Sequence, residues 1–161
     1  FQDYAANSYG VDMSLEQATQ HRSKYFRLYS GLRRWQGEQS SASISTYSAS
    51  TRYGRCVECR KPDGSYHYTR SLNVPIQGSC ADALHEALAR LPAALAGLDA
   101  HPVIIVHDEI ILDTSEADAA VAAERLTDVM GEAFLAVFPE AKTMSGLTDS
   151  AIGDTWADTK A

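Results

Sequence analysis

Three ionisable residues interrupt an apolar, β-branched run near the middle of the chain. The run is Val103–Leu112, and His107, Asp108 and Glu109 lie inside it. A continuous apolar run of this length is typical of a buried strand, so the charged tripeptide marks either the tip of a tight hairpin or a functional site. Asp is common in ordinary turns, but the Gly or Asn of most two-residue turns is missing from this one. A carboxylate at a rigid strand end can offer a hard oxygen ligand to Mg²⁺.

Further polar residues lie upstream, in an order that is itself informative. The segment Arg70–Asp82 leads into an apolar helix and carries Asn73 and Gln77 four residues apart. The segment Thr51–Arg55 precedes it and reads Thr-Arg-Tyr-Gly-Arg.

This order of segments resembles the C-terminal half of the polymerase domain of family A DNA polymerases, the bacterial DNA polymerase I type. That family shows Thr-x-x-Gly-Arg, then Asn-x-Pro-x-Gln-Gly-(Thr/Ser)-x-Ala-Asp opening a long helix, then a Val-His-Asp-Glu hairpin and a closing Gly-x-x-Trp. The opening third of the chain matches more loosely, and there the phage-type members are the most similar. The matching segments are Thr51–Arg55, Asn73–Asp82, Val106–Glu109, Gly153–Trp156 and, more loosely, Tyr9–Trp35.

The resemblance implies template-directed transfer of a nucleotide from a dNTP to a primer 3′-hydroxyl by a two-Mg²⁺ mechanism. Asp108 would be one of two carboxylate metal ligands. Glu109 would tune the site, and His107 would lie close to the primer end, with a turn histidine bonded to backbone as the alternative. The matching Asn73 and Gln77 would contact DNA near the primer–template end, because an amide donor can reach the acceptors that every base pair shows in the minor groove. Helix capping by Asn73 and a solvent-exposed Gln77 remain the alternative.

Three further residues are candidate primer–template contacts. Thr51 and Arg55 carry a hydroxyl and a guanidinium, which both suit phosphate oxygens. Arg55 could equally form an ion pair within the fold. Arg70 is the third candidate for a primer–template contact, although it lies one residue closer to Asn73 than the family's Arg does.

Two parts of the family's site are missing from the sequence. The first metal-binding Asp, in an Asp-Tyr-Ser-type strand, and the main fingers helix would both lie upstream of residue 1. Tyr9-Gly10 is not the Tyr-Gly of that helix, because Phe1 stands where its Lys belongs and Ala5 where its aromatic residue belongs. The sequence is therefore interpreted as a fragment or one piece of a split polymerase, inactive alone. Its expected partners are primer–template DNA, dNTP and the upstream half, with no membrane partner.

Two rival functions are open at this stage. One is a non-catalytic primer–template binding module, a degenerate or split polymerase relic. The other is a small zinc-binding domain built on Cys56 and Cys59, with His67 and Cys80 as remote further ligands. A structural zinc site needs four ligands, usually in two close pairs, so this second rival has the weaker basis.

Charge and composition constrain the function less. The net charge is −7, which argues against nucleic acid, but residues 1–70 carry ten basic against six acidic residues and residues 71–161 four against fifteen. The basic half would track phosphates, or both halves simply carry solvated charges. Three cysteines are too few for a disulfide framework and fit a reducing cytoplasm, and no apolar run approaches the ~20 residues that span a bilayer.

The elements that must position these residues predict an α+β fold. A capping box at Ser14–Gln17 starts a helix of about fifteen residues that ends at Ser30-Gly31, and a second helix runs from Leu32 into the serine-rich stretch. A turn is predicted at Lys61–Ser65. Residues 1–50 are interpreted as distal fingers helices, and residues 51–161 as the C-terminal half of the palm.

In the predicted palm half, an antiparallel hairpin at 102–113 and an edge strand at 142–148 carry helices packed on one face. One helix spans Ile76–Leu95, with Pro92 ending or kinking it, and another runs from Ser115–Asp118 to Val137. The hairpin should expose Asp108 and bury its apolar residues. The residues expected to be buried are Val103, Ile105 and Ile111 in the hairpin and Cys80, Leu84, Ala87, Leu88, Leu91 and Leu95 in the first helix.

Overall fold

The chain is an α+β protein, as its sequence predicts. The computed structural model describes residues 2–141 and 146–160. The α-helices are α1 (Gln2–Tyr9), α2 (Leu15–Leu28), α3 (Ser30–Ile44), α4 (Tyr68–Asn73), α5 (Ser79–Ala94) and α6 (Ala119–Val137), with a π-helical segment at Val74–Gly78 and a 3₁₀ helix at Trp156–Lys160. The strands β1 (Ser48–Ser50) and β2 (Cys56–Glu58) form one pair, and β3 (Ala100–Val106) and β4 (Glu109–Thr114) form another.

The chain divides into two compact units. One consists of Phe1–Ser48 with Cys59–Leu72, and the other of Ala49–Glu58 with Asn73–Ala161. Within the described residues, no helix combines the length and the apolar character that are needed to cross a membrane.

Local sequence signals set the elements of the first unit. The predicted capping box is present: the Ser14 hydroxyl accepts from the Gln17 backbone N–H at 3.1 Å, and the Gln17 side chain accepts from the Ser14 N–H at 2.8 Å. Helix α3 begins at Ser30, two residues earlier than predicted. In the predicted turn, the Asp63 carboxylate accepts from the backbone and hydroxyl of Ser65. The capping box and the turn are confirmed, whereas the helix break predicted at Ser30-Gly31 is wrong, because α2 ends at Leu28 and both residues already belong to α3.

The core of the second unit lies between α5, α6 and the β3–β4 hairpin. Helix α5 ends close to the predicted residue and continues past Pro92, while α6 begins after Asp118. The Asp118 carboxylate accepts from the Asp99 N–H and the Ser115 hydroxyl, so it fixes the loop before α6 rather than capping the helix. The buried core residues are Ala87, Leu91, Leu95, Ala100, Ile110, Ala122, Val129 and Ala133, with Leu84, Leu88 and Leu112 packed against them.

The predicted burial of the hairpin is wrong for its first strand. Val103 and Ile105 are 54% and 51% exposed, and Ile111 is only half-buried. The reason is that the helices contact the hairpin through Ala100, Ile110 and Leu112, which leaves most of β3 uncovered.

Two other predictions concern Cys80 and the edge strand at 142–148. Cys80 is exposed, not part of the buried stripe, because the buried residues Ser79, Ala83 and Ala87 follow the neighbouring face of α5. Of the edge strand predicted at 142–148, residues 142–145 lie outside the described residues, and Gly146 and Leu147 form a turn.

Candidate functional site

The β3–β4 hairpin presents the charged tripeptide at its tip. Val106 pairs with Glu109, so His107 and Asp108 are the two turn residues, and both are exposed. The φ of His107 is +55°, a region that residues other than glycine rarely adopt. Positive φ at the first central residue is what a type II′ hairpin turn requires, and Gly is the usual residue there. The exposed Asp108 tip is confirmed, and a non-glycine residue in a strained turn is a mark of functional positions.

Glu109, the residue after the turn, is held by two residues of the 3₁₀ helix. The Trp156 indole Nε1 donates to Glu109 Oε1 at 3.0 Å, and Lys160 Nζ donates to Glu109 Oε2 at 2.6 Å. The Lys160 and Trp156 hydrogen bonds hold the pKa of the Glu109 carboxyl below its usual value, because they favour its ionised form. By contrast, Asp108 makes no ion pair within the described part of the chain.

The amide-bearing segment departs from regular α-helix. Residues Val74–Gly78 form a π-helical segment between α4 and α5, where Pro75 cannot donate a backbone hydrogen bond. Ser79 closes the segment by donating its hydroxyl to the Pro75 carbonyl at 2.7 Å. Asn73, just before the segment, and Gln77, within it, are both exposed, and Asn73 makes no side-chain capping bond. Short π-helical insertions occur frequently at functional sites.

Thr51 and Arg55 pack against the start of α5. Arg55 Nε donates to the buried Asp82 carboxylate at 2.7 Å, and Arg55 Nη2 donates to the Gly78 carbonyl at 3.0 Å. Thr51 is buried, and its hydroxyl accepts from the Arg55 backbone N–H at 3.1 Å. A Cβ on Gly78 would lie 2.9 Å from Thr51 Cγ2, so only glycine fits there without a shift. These contacts favour a structural role for both residues.

The structure does not unite all of the predicted residues. Arg70 is exposed on α4 and belongs to the first compact unit, whereas the other predicted site residues belong to the second. Across residues 2–141 and 146–160, no hydrogen bond or ion pair links Asn73 or Gln77 to the hairpin tip. Nor does any group of three or more His, Cys, Asp or Glu side chains there form a metal site, so the zinc hypothesis has no structural support.

The amino-acid sequence identifies the family of the chain. The sequence profile of DNA polymerase family A matches residues 5–158, which is almost the whole chain. The chain belongs to DNA polymerase family A.

Individual relatives agree with this assignment. The polymerase chain is 28% identical over 158 residues to DNA polymerase I of Aquifex aeolicus (strain VF5), and 27% identical over 169 residues to DNA polymerase I of Bacillus caldotenax. The matches cover 96% and 98% of this chain but only 26% and 19% of those proteins. The polymerase chain therefore spans about a quarter of the length of these relatives or less.

A solved structure supports the fold. The polymerase domain of Pol1 from M. smegmatis, in complex with DNA primer–template and dNTP, matches with a TM-score of 0.68 and 26% sequence identity. The match covers 80% of this chain and 24% of that one. The similarity of the opening third to phage-type members stays a prediction.

Sequence reasoning missed the partners that hold the predicted residues in this polymerase chain. Asp82 was part of the motif, but its ion pair with Arg55 joins residues 27 apart. Lys160 lies 51 residues from Glu109 and carried no signal of its own. The Gly-x-x-Trp motif pointed to Trp156 but not to its contact with the hairpin.

Proposed function

We propose that this chain is the C-terminal part of a family A polymerase domain and serves template-directed nucleotidyl transfer to a primer 3′-hydroxyl. The observation that carries the proposal is the exposed Asp108 on a strained hairpin tip, in a chain whose residues 5–158 match the family. Residues 1–50 then act as distal fingers helices and residues 51–161 as the C-terminal half of the palm.

Asp108 fits one position in a magnesium site. It is an exposed carboxylate, makes no ion pair within the described residues and offers the oxygen ligand that Mg²⁺ prefers. Two Mg²⁺ ions in such a site would activate the primer hydroxyl and stabilise the leaving pyrophosphate. A single carboxylate cannot hold both ions, so a second must come from a partner strand. On this proposal His107 lies near the primer end and Glu109 supports the tip.

The exposed amides would contact the primer–template. Asn73 and Gln77 lie four residues apart, and both are exposed at the segment that leads into α5. An amide donor can serve every correct base pair through the minor-groove acceptors and can sense a distorted pair. The related M. smegmatis polymerase domain was solved with primer–template DNA and dNTP, which supports these two partners. Phosphate contacts by Arg55 and Arg70, whose side chains are at least partly exposed, stay part of the proposal, whereas the buried Thr51 keeps the structural role that its contacts favour.

The uncovered strand β3 supports the need for an upstream half. Its residues Val103, Ile104 and Ile105 are each more than 40% exposed, and its outer edge is unpaired within the described residues. An apolar strand with an open edge is a template for pairing with another strand. A strand from the upstream half that brings the second carboxylate would cover this edge and complete the site.

Primer extension tests the proposal. The 161-residue chain alone should extend no primer, and adding an upstream polymerase half that supplies the second Asp and the fingers Lys should restore extension. Asp108→Asn should lower it by about a thousandfold, because metal-centred catalysis contributes several kcal/mol and each 1.4 kcal/mol is tenfold. Asp113→Asn, at the other end of β4, is the matched control and should retain activity.

Extension by the isolated chain that persists in Asp108→Asn would refute the assignment. A different pattern would favour the non-catalytic binding module: primer–template binding that survives Asp108→Asn, with no extension after the upstream half is added.

A further inference from the structure

The 3₁₀ helix Trp156–Lys160 contacts the hairpin at the residue next to the tip. Both oxygens of the Glu109 carboxylate are occupied, one by the Trp156 indole at 3.0 Å and the other by the Lys160 ammonium at 2.6 Å. Glu109 is itself only about one-third exposed, so these bonds are partly shielded from water. Both oxygens of Glu109 thus have a donor from the same short helix, whereas the neighbouring Asp108 makes no ion pair within the described residues.

The short helix is built to present these two donors together. Asp158 accepts from the Thr155 backbone N–H at 2.8 Å and from the Thr155 hydroxyl at 2.6 Å, which fixes the first turn. A Cβ on Gly153 would lie 2.7 Å from Asp158 Cβ, so the chain can turn into the helix only with glycine there. Lys160 Nζ then lies 5.4 Å from the centroid of the Trp156 ring, within the range of a cation–π contact.

We infer that Glu109 is a positioning residue. Its bonds to Trp156 and Lys160 form a clip that joins the 3₁₀ helix to the hairpin and holds Asp108 in place for the reaction. The inference rests on the proposed function and goes beyond it, since it assigns a role to two residues that lie 47 and 51 positions away in the sequence. The side chain that follows Asp108 is anchored, and the strained His107-Asp108 turn is thereby tied to a second element. Without the clip, the tip would be held by its pairing with β3 and by the buried Ile110 behind it.

Kinetics on the chain reconstituted with an upstream polymerase half separate a positioning role from a ligand role. Glu109→Gln and Lys160→Met should each lower kcat about tenfold, as second-sphere substitutions typically do, with less than a twofold change in the KM for dNTP. The double variant should lose no more than either single variant, because both remove the same clip. Lys160→Arg should restore most of the activity. Glu116→Gln, in the exposed loop before α6, is the matched control for Glu109→Gln and should change nothing.

Two kinetic results would overturn the inference. Glu109→Gln could abolish extension while Lys160→Met leaves it intact, which would make Glu109 a direct metal ligand. The two losses could also multiply in the double variant, which would make the residues independent.

A fluorine NMR experiment on the 161-residue chain tests the clip without any activity. Trp35→Phe leaves Trp156 as the single tryptophan, which can be labelled as 5-fluorotryptophan. Glu109→Gln and Lys160→Met should move its resonance towards that of the unfolded chain, and Glu116→Gln should not. An unchanged resonance overturns the clip itself, whereas absence of extension by the unaltered reconstituted pair overturns the proposed function.

Discussion

At the scale of single residues, the backbone of His107 departs from the local preference of a non-glycine residue. A non-glycine residue in the left-handed region costs on the order of 1–2 kcal/mol relative to the right-handed one, and His107 adopts a φ of +55°. Nothing in the packing explains the choice, because the side chain is exposed. Because Gly would fit this turn without strain, we expect the imidazole of His107 to serve the proposed site.

The substitution His107→Gly tests this reading. We expect the free energy of unfolding to stay the same or rise by up to about 1 kcal/mol, since strain is relieved while the unfolded chain gains some freedom. Primer extension by the reconstituted polymerase should nevertheless fall. Urea unfolding and extension rates on the same variant provide the two measurements. A loss of stability would show instead that the ring makes a structural contact.

At the scale of elements, the start of α5 is locked to the loop between β1 and β2. Arg55 bridges Asp82 and the Gly78 carbonyl, the Ser79 hydroxyl accepts from the Arg52 backbone N–H at 2.9 Å, and Thr51 packs on Gly78. These residues thus hold two elements together. Gly78 has helical φ and ψ, so its requirement is steric and not conformational.

Gly78→Ala should destabilise the chain by about 1–3 kcal/mol, because the new methyl group overpacks a buried contact. The double variant Gly78→Ala with Thr51→Ser should recover much of this loss, since serine keeps the hydroxyl that accepts from Arg55 and removes the clashing Cγ2. Gly37→Ala on α3, where an added Cβ meets nothing within 4 Å, is the control and should stabilise by up to about 1 kcal/mol. Equal losses at Gly78 and Gly37 in urea unfolding would contradict the steric explanation.

Helices α5 and α6 and the loop between β1 and β2 also share a charged network. Glu86 accepts from Arg90 and from the Tyr53 hydroxyl, and Arg90 also pairs with Glu132 on α6. The Arg90 hydrogen bond, followed by that of Tyr53, lowers the pKa of the Glu86 carboxyl below its ordinary value of 4.5. A carboxyl group with a lowered pKa in the folded state stabilises the fold above its unfolded pKa, and the contribution is lost as the pH falls through the folded value.

The effect of Glu86→Gln should therefore depend on pH. The loss of stability relative to the unaltered chain should be present in full at pH 7 and should shrink as the pH falls below 4.5. Urea unfolding of both proteins at a series of pH values measures the difference. Glu38→Gln, in the more exposed pair with Arg34 on α3, controls for the simple loss of a negative charge. A difference that grows at acid pH would show that the sign is wrong.

Local signals in the sequence were sufficient to predict the longer helices and the tip of the β3–β4 hairpin. The capping box at Ser14, the turn at Lys61–Ser65 and the Asp108 hairpin depend on neighbouring residues, and all are present in the structure. The burial of Val103 and Ile105 could not be predicted in the same way, because periodicity shows that a residue is apolar but not which element covers it. The contact of Lys160 with Glu109 was out of reach for a related reason, since an exposed lysine has no pattern that identifies its partner.

At the scale of the whole molecule, the chain is acidic, and the described residues include an uncovered apolar strand, β3. The net charge of −7 favours solubility through mutual repulsion. Strand β3 works against it, because Val103, Ile104 and Ile105 form a continuous exposed apolar segment with an open edge. Such an edge invites pairing with any available strand, including that of another copy. The isolated chain should therefore behave differently from the chain joined to an upstream half.

Self-association of the isolated chain tests whether the open edge of β3 pairs with another strand. The isolated chain should form concentration-dependent oligomers in sedimentation experiments, and Ile105→Lys should reduce them, because a charged side chain on an edge strand discourages pairing. Val121→Lys is the matched control: it adds the same charge at an exposed apolar position, but on helix α6. Adding an upstream polymerase half should also suppress the oligomers and slow hydrogen exchange of the β3 backbone amides, while Ile105→Lys should weaken that complex. Equal effects of the two lysine variants, or unchanged β3 exchange after the upstream half is added, would show that this edge is not where the remainder of the polymerase docks.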